Sequence, residues 1–473
     1  MPKLPKFGEL TATRRIFLLG VIFFVYSLGV SAAIQTYIVP NIFPQFDLGD
    51  GLIVPDSTGF DQAARIKAHE IRERGWGAWE LRPQTHSPAG VASAFYALWT
   101  PKPYSLLPFN ALVHALSGCL VLWLLLNFFS WKPALFGSAL FVINPAAMEW
   151  VAQIHRDGVF ILGNLMVLAS IAQLLDGLKS ANIRTMARGL LAGLAGTLLV
   201  WVARPYWIQV LIVIVLLCLL LIGISRWATR TPGNGKNLPS LSFLSFVICL
   251  LLFQGWLANT HSDKFVELRT AEIMKTEKTE SPGRKGDVRT GTHASQTYIR
   301  PMMTPWIKTQ GIPDAVEKKL LQISVMRYGV VTTGGNSIVD GDVTFNSAGD
   351  FVTYFPRALQ LGMLSPLPEL WRGEGSTPAT TMARKIMGGA TLVFYFCLFG
   401  LLAGIVLHRK NPILWIALTF SLVGILVFTY VYPNVGTLLR LRYGFYMFLI
   451  AFGAANIAEL SLGWLRRRRA GKY

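Results

Sequence analysis

Apolar runs separated by short polar connections recur along the chain, near 15–38, 105–129, 133–147, 158–177, 187–203, 206–225, 240–258, 386–407, 411–430 and 439–462. A helix needs roughly 18 or more such residues to cross about 30 Å of hydrocarbon with every backbone group bonded internally. The pattern therefore predicts about ten membrane helices. The third run, Pro133 to Ala147, is short and reads as tilted or as continuing into the next segment. The first is too long for a cleaved signal peptide and lacks its small-residue exit, so it reads as a retained anchor.

Two stretches between the runs are too long for simple connections. The first, 41–104, contains an acidic, helix-forming segment, Pro55 to Asp61, and a helical pattern from Asp61 to Arg74 that stops at Gly75. Phe60, Ala64, Ala68 and Ile71 make a narrow apolar stripe on it, with charge on the other face, as in a helix lying on a membrane or on spans beneath. In the second, 259–384, Lys275 to Thr297 reads as a mobile polar loop. An amphipathic helix from Ile312 to Gly329 and a turn at Gly334-Gly335-Asn336 then predict a packed cap with a groove. The chain thus divides into an N-terminal membrane module, 1–258, a large outer loop domain, 259–384, and a C-terminal membrane module, 385–473.

Charge sets the orientation. Lys3, Lys6, Arg14 and Arg15 precede the first run, and Lys132, Lys179, Arg184, Arg188, Arg226, Arg230, Lys236, Arg409, Lys410 and Arg466 to Arg469 follow alternate runs. With ten spans all lie on one side, which the excess of Lys and Arg marks as cytoplasmic, with both termini. The formal charge of +19 is therefore topological and calls for no nucleic-acid partner; the basic tail suits anionic membrane lipids. Composition agrees, with 52% hydrophobic and 15% charged residues and a mean hydropathy of +0.45. Cys119, Cys218, Cys249 and Cys397 lie within apolar runs without paired spacing and read as packing residues.

Candidate chemistry gathers at the opposite, outer ends. Asp56 and Asp61 can serve as general bases or cap the coming helix, a role Ser57 could also fill. Glu149, His155, Arg156 and Asp157 cluster between the third and fourth runs, where charge beside hydrocarbon favours function. Arg204, Arg440 and Arg442 stand at outer ends of runs, and arginine forks suit phosphate oxygens. His86 lies near Trp76, Trp79 and Trp99, which read better as interface anchors than as sugar platforms. Arg327, Tyr354 and Arg357 are candidates on the cap. Gly334 to Ser337 lacks the strand, helix and lysine of a phosphate-cradling loop.

Pro55-Asp56-Ser57 with Phe60 and Ala64, the surface helix after them, Arg156-Asp157 before the fourth run, and Gly436-Thr437 with Arg440 and Arg442 together resemble the GT-C superfamily of polytopic glycosyltransferases. The later segment from Arg327 to Trp371 is similar to a stretch in bacterial membrane proteins of exopolysaccharide and O-antigen clusters. Asp56 stands farther from the first span than is usual for that superfamily's acidic residue, and the large outer domain precedes the eighth span instead of following the last.

The resemblance implies an all-α, GT-C-like fold of about ten spans with outer juxtamembrane helices and a mixed periplasmic loop domain, in the bacterial cytoplasmic membrane. It implies a polyprenyl-phosphate sugar donor and a lipid-linked or polysaccharide acceptor. Asp56, Asp61 or Asp157 would take the acceptor proton, and Arg204, Arg440, Arg442 and Arg156 would bind the donor phosphate. Glu149, His155, His86, Arg327, Tyr354 and Arg357 would line the substrate groove. A divalent cation, Mg or Mn, is compatible but not required. A polymerase or ligase acting on a lipid-diphosphate glycan is the alternative, in which the arginines outweigh Asp56. A non-catalytic glycolipid transporter ranks last, because mid-span charges and repeats are not evident.

Overall fold

Thr11 accepts a hydrogen bond from the Arg14 amide and starts α1 (Ala12–Ala33), the first apolar helix. The chain is described by a computed structural model covering residues 11–83, 86–228, 238–259, 305–333, 337–374 and 378–469. Beyond α1 the helix widens into a π-helical stretch, Ile34–Ile42, which contains Pro40, a residue with no amide to donate. Two outer helices follow, α2 (Pro55–Arg74) and α3 (Ser87–Leu98). The N-terminal module continues with α4 (Leu107–Leu125), α5 (Trp131–Ile143), α6 (Met148–Val151), α7 (Asp157–Lys179), α8 (Ile183–Ala203), α9 (Trp207–Ala228) and α10 (Leu238–Leu257). The outer domain contributes α11 (Asp314–Thr333) and α12 (Ala348–Leu364), and the C-terminal module α13 (Pro378–His408), α14 (Pro412–Val431) and α15 (Val435–Arg469).

All the apolar runs fall on helices. Among the described residues, 8 helices are long and apolar enough to cross a membrane, or 9 if α5 and Pro145–Val151, bent by 46°, form one span. This bend is how the short third run continues. Leu241–Leu257, in α10, is a shorter apolar helix. The mixed character expected of the outer domain reduces, among the described residues, to helices and one isolated bridge between Ile338 and Asn434. Its Ile312 helix runs past Gly329 to Thr333. The expected loop at Lys275 to Thr297 and turn at Gly334 to Asn336 lie outside the described residues.

The spans pack without help from water, so close backbone approach and side-chain fit hold them together. Gly163 of α7 and Gly196 of α8 face each other: a Cβ on either would come within 2.7 Å of the other's carbonyl oxygen. Under the outer end of the bundle, the Trp207 ring stacks on Phe428 at 4.1 Å, flanked by Phe160 and Phe445. The Trp207 indole donates to Asn164 Oδ1 at 3.1 Å, so its polar edge is satisfied in the core. Cys218 and Cys397 are buried, Cys119 is half-buried and Cys249 is exposed; all four are free.

Candidate active site

Asp56 owes its place to the start of α2. Val54 is extended and Pro55 occupies the first helical position, where its missing amide costs nothing. The helix thus takes in the whole Pro55 to Asp61 segment read as helix-forming, and Asp56 falls in its first turn, where the helix dipole favours a carboxylate. Neither Asp56 nor Ser57 caps it. Ser57 Oγ donates instead to the Ile154 carbonyl at 3.1 Å. Gln153 accepts from the Ile53 amide at 2.9 Å and donates to the Gly51 carbonyl at 3.1 Å, while Gln35 donates to the Ala152 carbonyl at 2.8 Å. Gly51 has φ +77, and a Cβ there would lie 1.8 Å from the Gln35 carbonyl oxygen. These bonds fasten the first outer loop to the segment that leads to Asp157.

Asp157, 1% exposed, opens α7. Arg204, at the end of α8, donates to its Oδ1. His155 Nδ1 lies 2.8 Å and Arg440 Nε 3.2 Å from its Oδ2. A buried carboxylate is tolerated because cations from two other helices meet it. Arg440, on the first turns of α15, reaches outward as well: its Nη1 is 3.7 Å from Glu149 Oε1 and 3.9 Å from Asp56 Oδ2. Asp56 is the most accessible acid of the group, with its side chain 59% exposed against 41% for Glu149.

The far side of Asp157 is cationic. Arg204 lies over the Phe160 ring at 5.1 Å and donates to the Tyr206 hydroxyl at 2.8 Å; Tyr206 is in turn bonded to Tyr432. Burial opposes ionisation of Tyr206, yet the Arg204 and Arg156 charges hold its phenol below the ordinary range; burial and Tyr206 push Tyr432 up. Burial and the neighbouring Arg204 charge lower Arg156. Burial lowers His86 too, with Arg156 adding to the effect and Asp56 opposing it. His86 sits at the same mouth, tilted against the Phe60 ring at 5.2 Å, and that ring meets the His155 ring edge-on at 6.3 Å. The site is bipolar, with carboxylates on the Asp56 side and guanidinium and phenol groups on the other.

Asp56, Glu149, His155, Arg156, Asp157, Arg204, Arg440 and His86 are thus brought together, and the remaining candidates are not. Asp61 is turned into the α2–α3 packing, where the Tyr96 hydroxyl donates to it at 2.6 Å and Arg65 at 2.7 Å. Arg442 is 1% exposed and donates to the carbonyls of Leu361, Gly362 and Ser365, which ties α15 to the outer domain. Arg327 donates to the carbonyls of Asp340, Val343 and Tyr430. Tyr354 and Arg357 both bond Asp340. Geometry thus gives Asp61, Arg442, Arg327, Tyr354 and Arg357 structural partners away from the cluster. Sequence reading missed Gln153, Tyr206 and Tyr432. Tyr206 stands two residues from Arg204, a signal that was present, whereas nothing in the sequence marks Gln153.

No protein-family model matches the sequence, and no curated protein does. The fold is similar to that of the archaeal oligosaccharyltransferase AglB from Archaeoglobus fulgidus, solved in complex with an inhibitory peptide and a dolichol-phosphate. The TM-score is 0.50 and the identity 14%, over 97% of this chain and 52% of that one. The chain therefore spans about half the length of that protein. At this identity the likeness concerns the fold alone, an all-helical architecture among the described residues with several helices long and apolar enough to cross a membrane.

The side chains present do not fit a divalent cation. Among the described residues no group of three or more His, Cys, Asp and Glu could hold a metal ion. Asp56 and Glu149 already face a guanidinium.

Proposed function

We propose that the chain is an inverting glycosyltransferase that moves a sugar from a polyprenyl-phosphate donor to a lipid- or glycan-linked acceptor. It acts at the outer face of a bacterial cytoplasmic membrane, in cell-surface polysaccharide assembly. The observation that carries this reading is the bipolar site, in which Asp56, more exposed than its neighbour Glu149, stands across a fixed Arg440 from a cationic, phenol-bearing wall.

In this reading Asp56 takes the proton of the acceptor hydroxyl as its oxygen attacks the anomeric carbon. The bond from that carbon to the donor phosphate oxygen breaks, the phosphate leaves with the electron pair, and the configuration inverts. Arg440 and Arg204 hold the field in which the leaving charge develops, pre-oriented by Asp157. No step runs through a metal. The GT-C-like fold supports a membrane transferase. So does the distribution of charge, since α7, α13 and α15 each carry basic residues at or just beyond the ends remote from the cluster.

Mass spectrometry of lipid-linked glycans from cells lacking the protein tests the reaction class. An intermediate short by one sugar is expected. Complete repeat units accumulating on the lipid would overturn the transferase in favour of a polymerase, ligase or transporter.

A further inference from the structure

Of the arginines around Asp157, one has no fixed partner. Arg204 and Arg440 are committed to the carboxylate, but Arg156, half-buried, makes no hydrogen bond or ion pair among the described residues. A guanidinium partly withdrawn from water and set beside the like charge of Arg204 is unfavourable unless an anion completes its surroundings. The Asp157 charge offsets part of that cost, but no fixed carboxylate bonds Arg156 among the described residues. Asp56 and Glu149 face Arg440, and Asp157 is divided between Arg204, Arg440 and His155.

We infer that Arg156 and the Tyr206 hydroxyl together receive the donor's phosphate, while Arg204 and Arg440 position the site through Asp157. The inference rests on the lipid-phosphate reading above and adds to it which groups touch the phosphate. The Arg156 fork can give two parallel N–H bonds to phosphate oxygens. Tyr206 is fastened by Arg204 and Tyr432, so its oxygen is fixed in place. A phenol whose oxygen accepts from a guanidinium, as Tyr206 does from Arg204 at 2.8 Å, is polarised to donate its own proton more strongly. As the anomeric carbon–oxygen bond breaks, the phosphate passes from one negative charge to two, and both groups gain interaction as it does so. Tyr206 and Tyr432 lie at the start of α9 and the end of α14, on the aromatic platform of Trp207 and Phe428, which keeps this wall rigid.

The test is binding by the full chain in lipid nanodiscs, with decaprenyl phosphate, decaprenol and inorganic phosphate as probes. Wild-type protein should bind decaprenyl phosphate, bind inorganic phosphate more weakly and ignore decaprenol. Arg156→Gln should weaken decaprenyl phosphate binding at least about tenfold, Tyr206→Phe by several-fold, and Arg156→Lys should recover part of the loss. Thermal stability gives the readout that separates a ligand contact from a structural one: Arg156→Gln should hold or raise Tm, because it removes a repulsion with Arg204. Equal affinity in wild type and Arg156→Gln overturns the inference and leaves the transfer reading standing. Failure of the wild type to bind decaprenyl phosphate overturns both.

Discussion

Asp157 and Asp61 are both buried carboxylates within the reach of arginine, yet they stand in different electrostatic positions. Asp157 balances Arg204 and Arg440 together. Its replacement by asparagine leaves the buried Arg204 without its counter-charge and removes the nearest one from Arg440, a change that typically costs about 3–5 kcal/mol. Thermal unfolding of Asp157→Asn should show that loss and donor binding should fall with it. Asp61 answers only to Arg65 and Tyr96, well inside the α2–α3 contact. Asp61→Asn should cost about 1–3 kcal/mol and leave donor binding intact. The sequence offered these acids as residue types at outer helix ends; it could not rank them, because ranking depends on which helix end supplies the facing cation. Arg440, nearly 300 positions after Asp157, is that cation.

The elements around the cluster are held by hydrogen bonds that leave little trace in a hydrophobicity pattern. Gln153, 1% exposed, joins the Ile53 amide and the Gly51 carbonyl to the segment before α7. Gln153→Ala strands those groups, so it should destabilise by about 1–3 kcal/mol and speed amide exchange across the 47–57 loop. The outer domain has its own keystone in Asp340, bonded by Arg357 and Tyr354. Burial alone would raise its carboxyl, but Arg357 and Tyr354 hold it below the ordinary 3.8. Since the native value is the lower one, the stabilisation is complete above 3.8 and is lost as pH falls through the native value. The Tm difference between wild type and Asp340→Asn should therefore be constant near neutrality and shrink in strong acid; a difference that grows on acidification would contradict the pairing. Helix α2 shows how far local signals carry. Its helix-forming start at Pro55, its buried stripe of Phe60, Ala64, Ala68 and Ile71 and its Gly75 stop were legible, whereas the tie of Ser57 to the Ile154 carbonyl in place of a cap was not.

For the whole molecule, span pattern and charge place the cluster at one end of the bundle and most short-loop Lys and Arg at the other. A cysteine at Gly59, on exposed α2 surface near the site, should react with a membrane-impermeant maleimide added to intact cells, and one at Ser180 should react only after lysis. The reverse pattern would invert the topology. Apolar runs were legible because a bilayer leaves few alternatives to the helix. The bend between α5 and α6 and the ties that Arg442 and Arg327 make between the outer domain and the C-terminal module were not, because they depend on carbonyls exposed by neighbouring elements.

The central claim is that Asp56, the exposed acid beside Arg440, takes the acceptor proton. Lipid-linked glycans from cells carrying Asp56→Asn or Asp61→Asn as the sole copy test it most directly, with membrane levels of each variant matched. The account predicts an intermediate short by one sugar with Asp56→Asn, reflecting a loss of about 10²–10⁴-fold in transfer, and completed glycans with Asp61→Asn. Completed glycans with Asp56→Asn would contradict it.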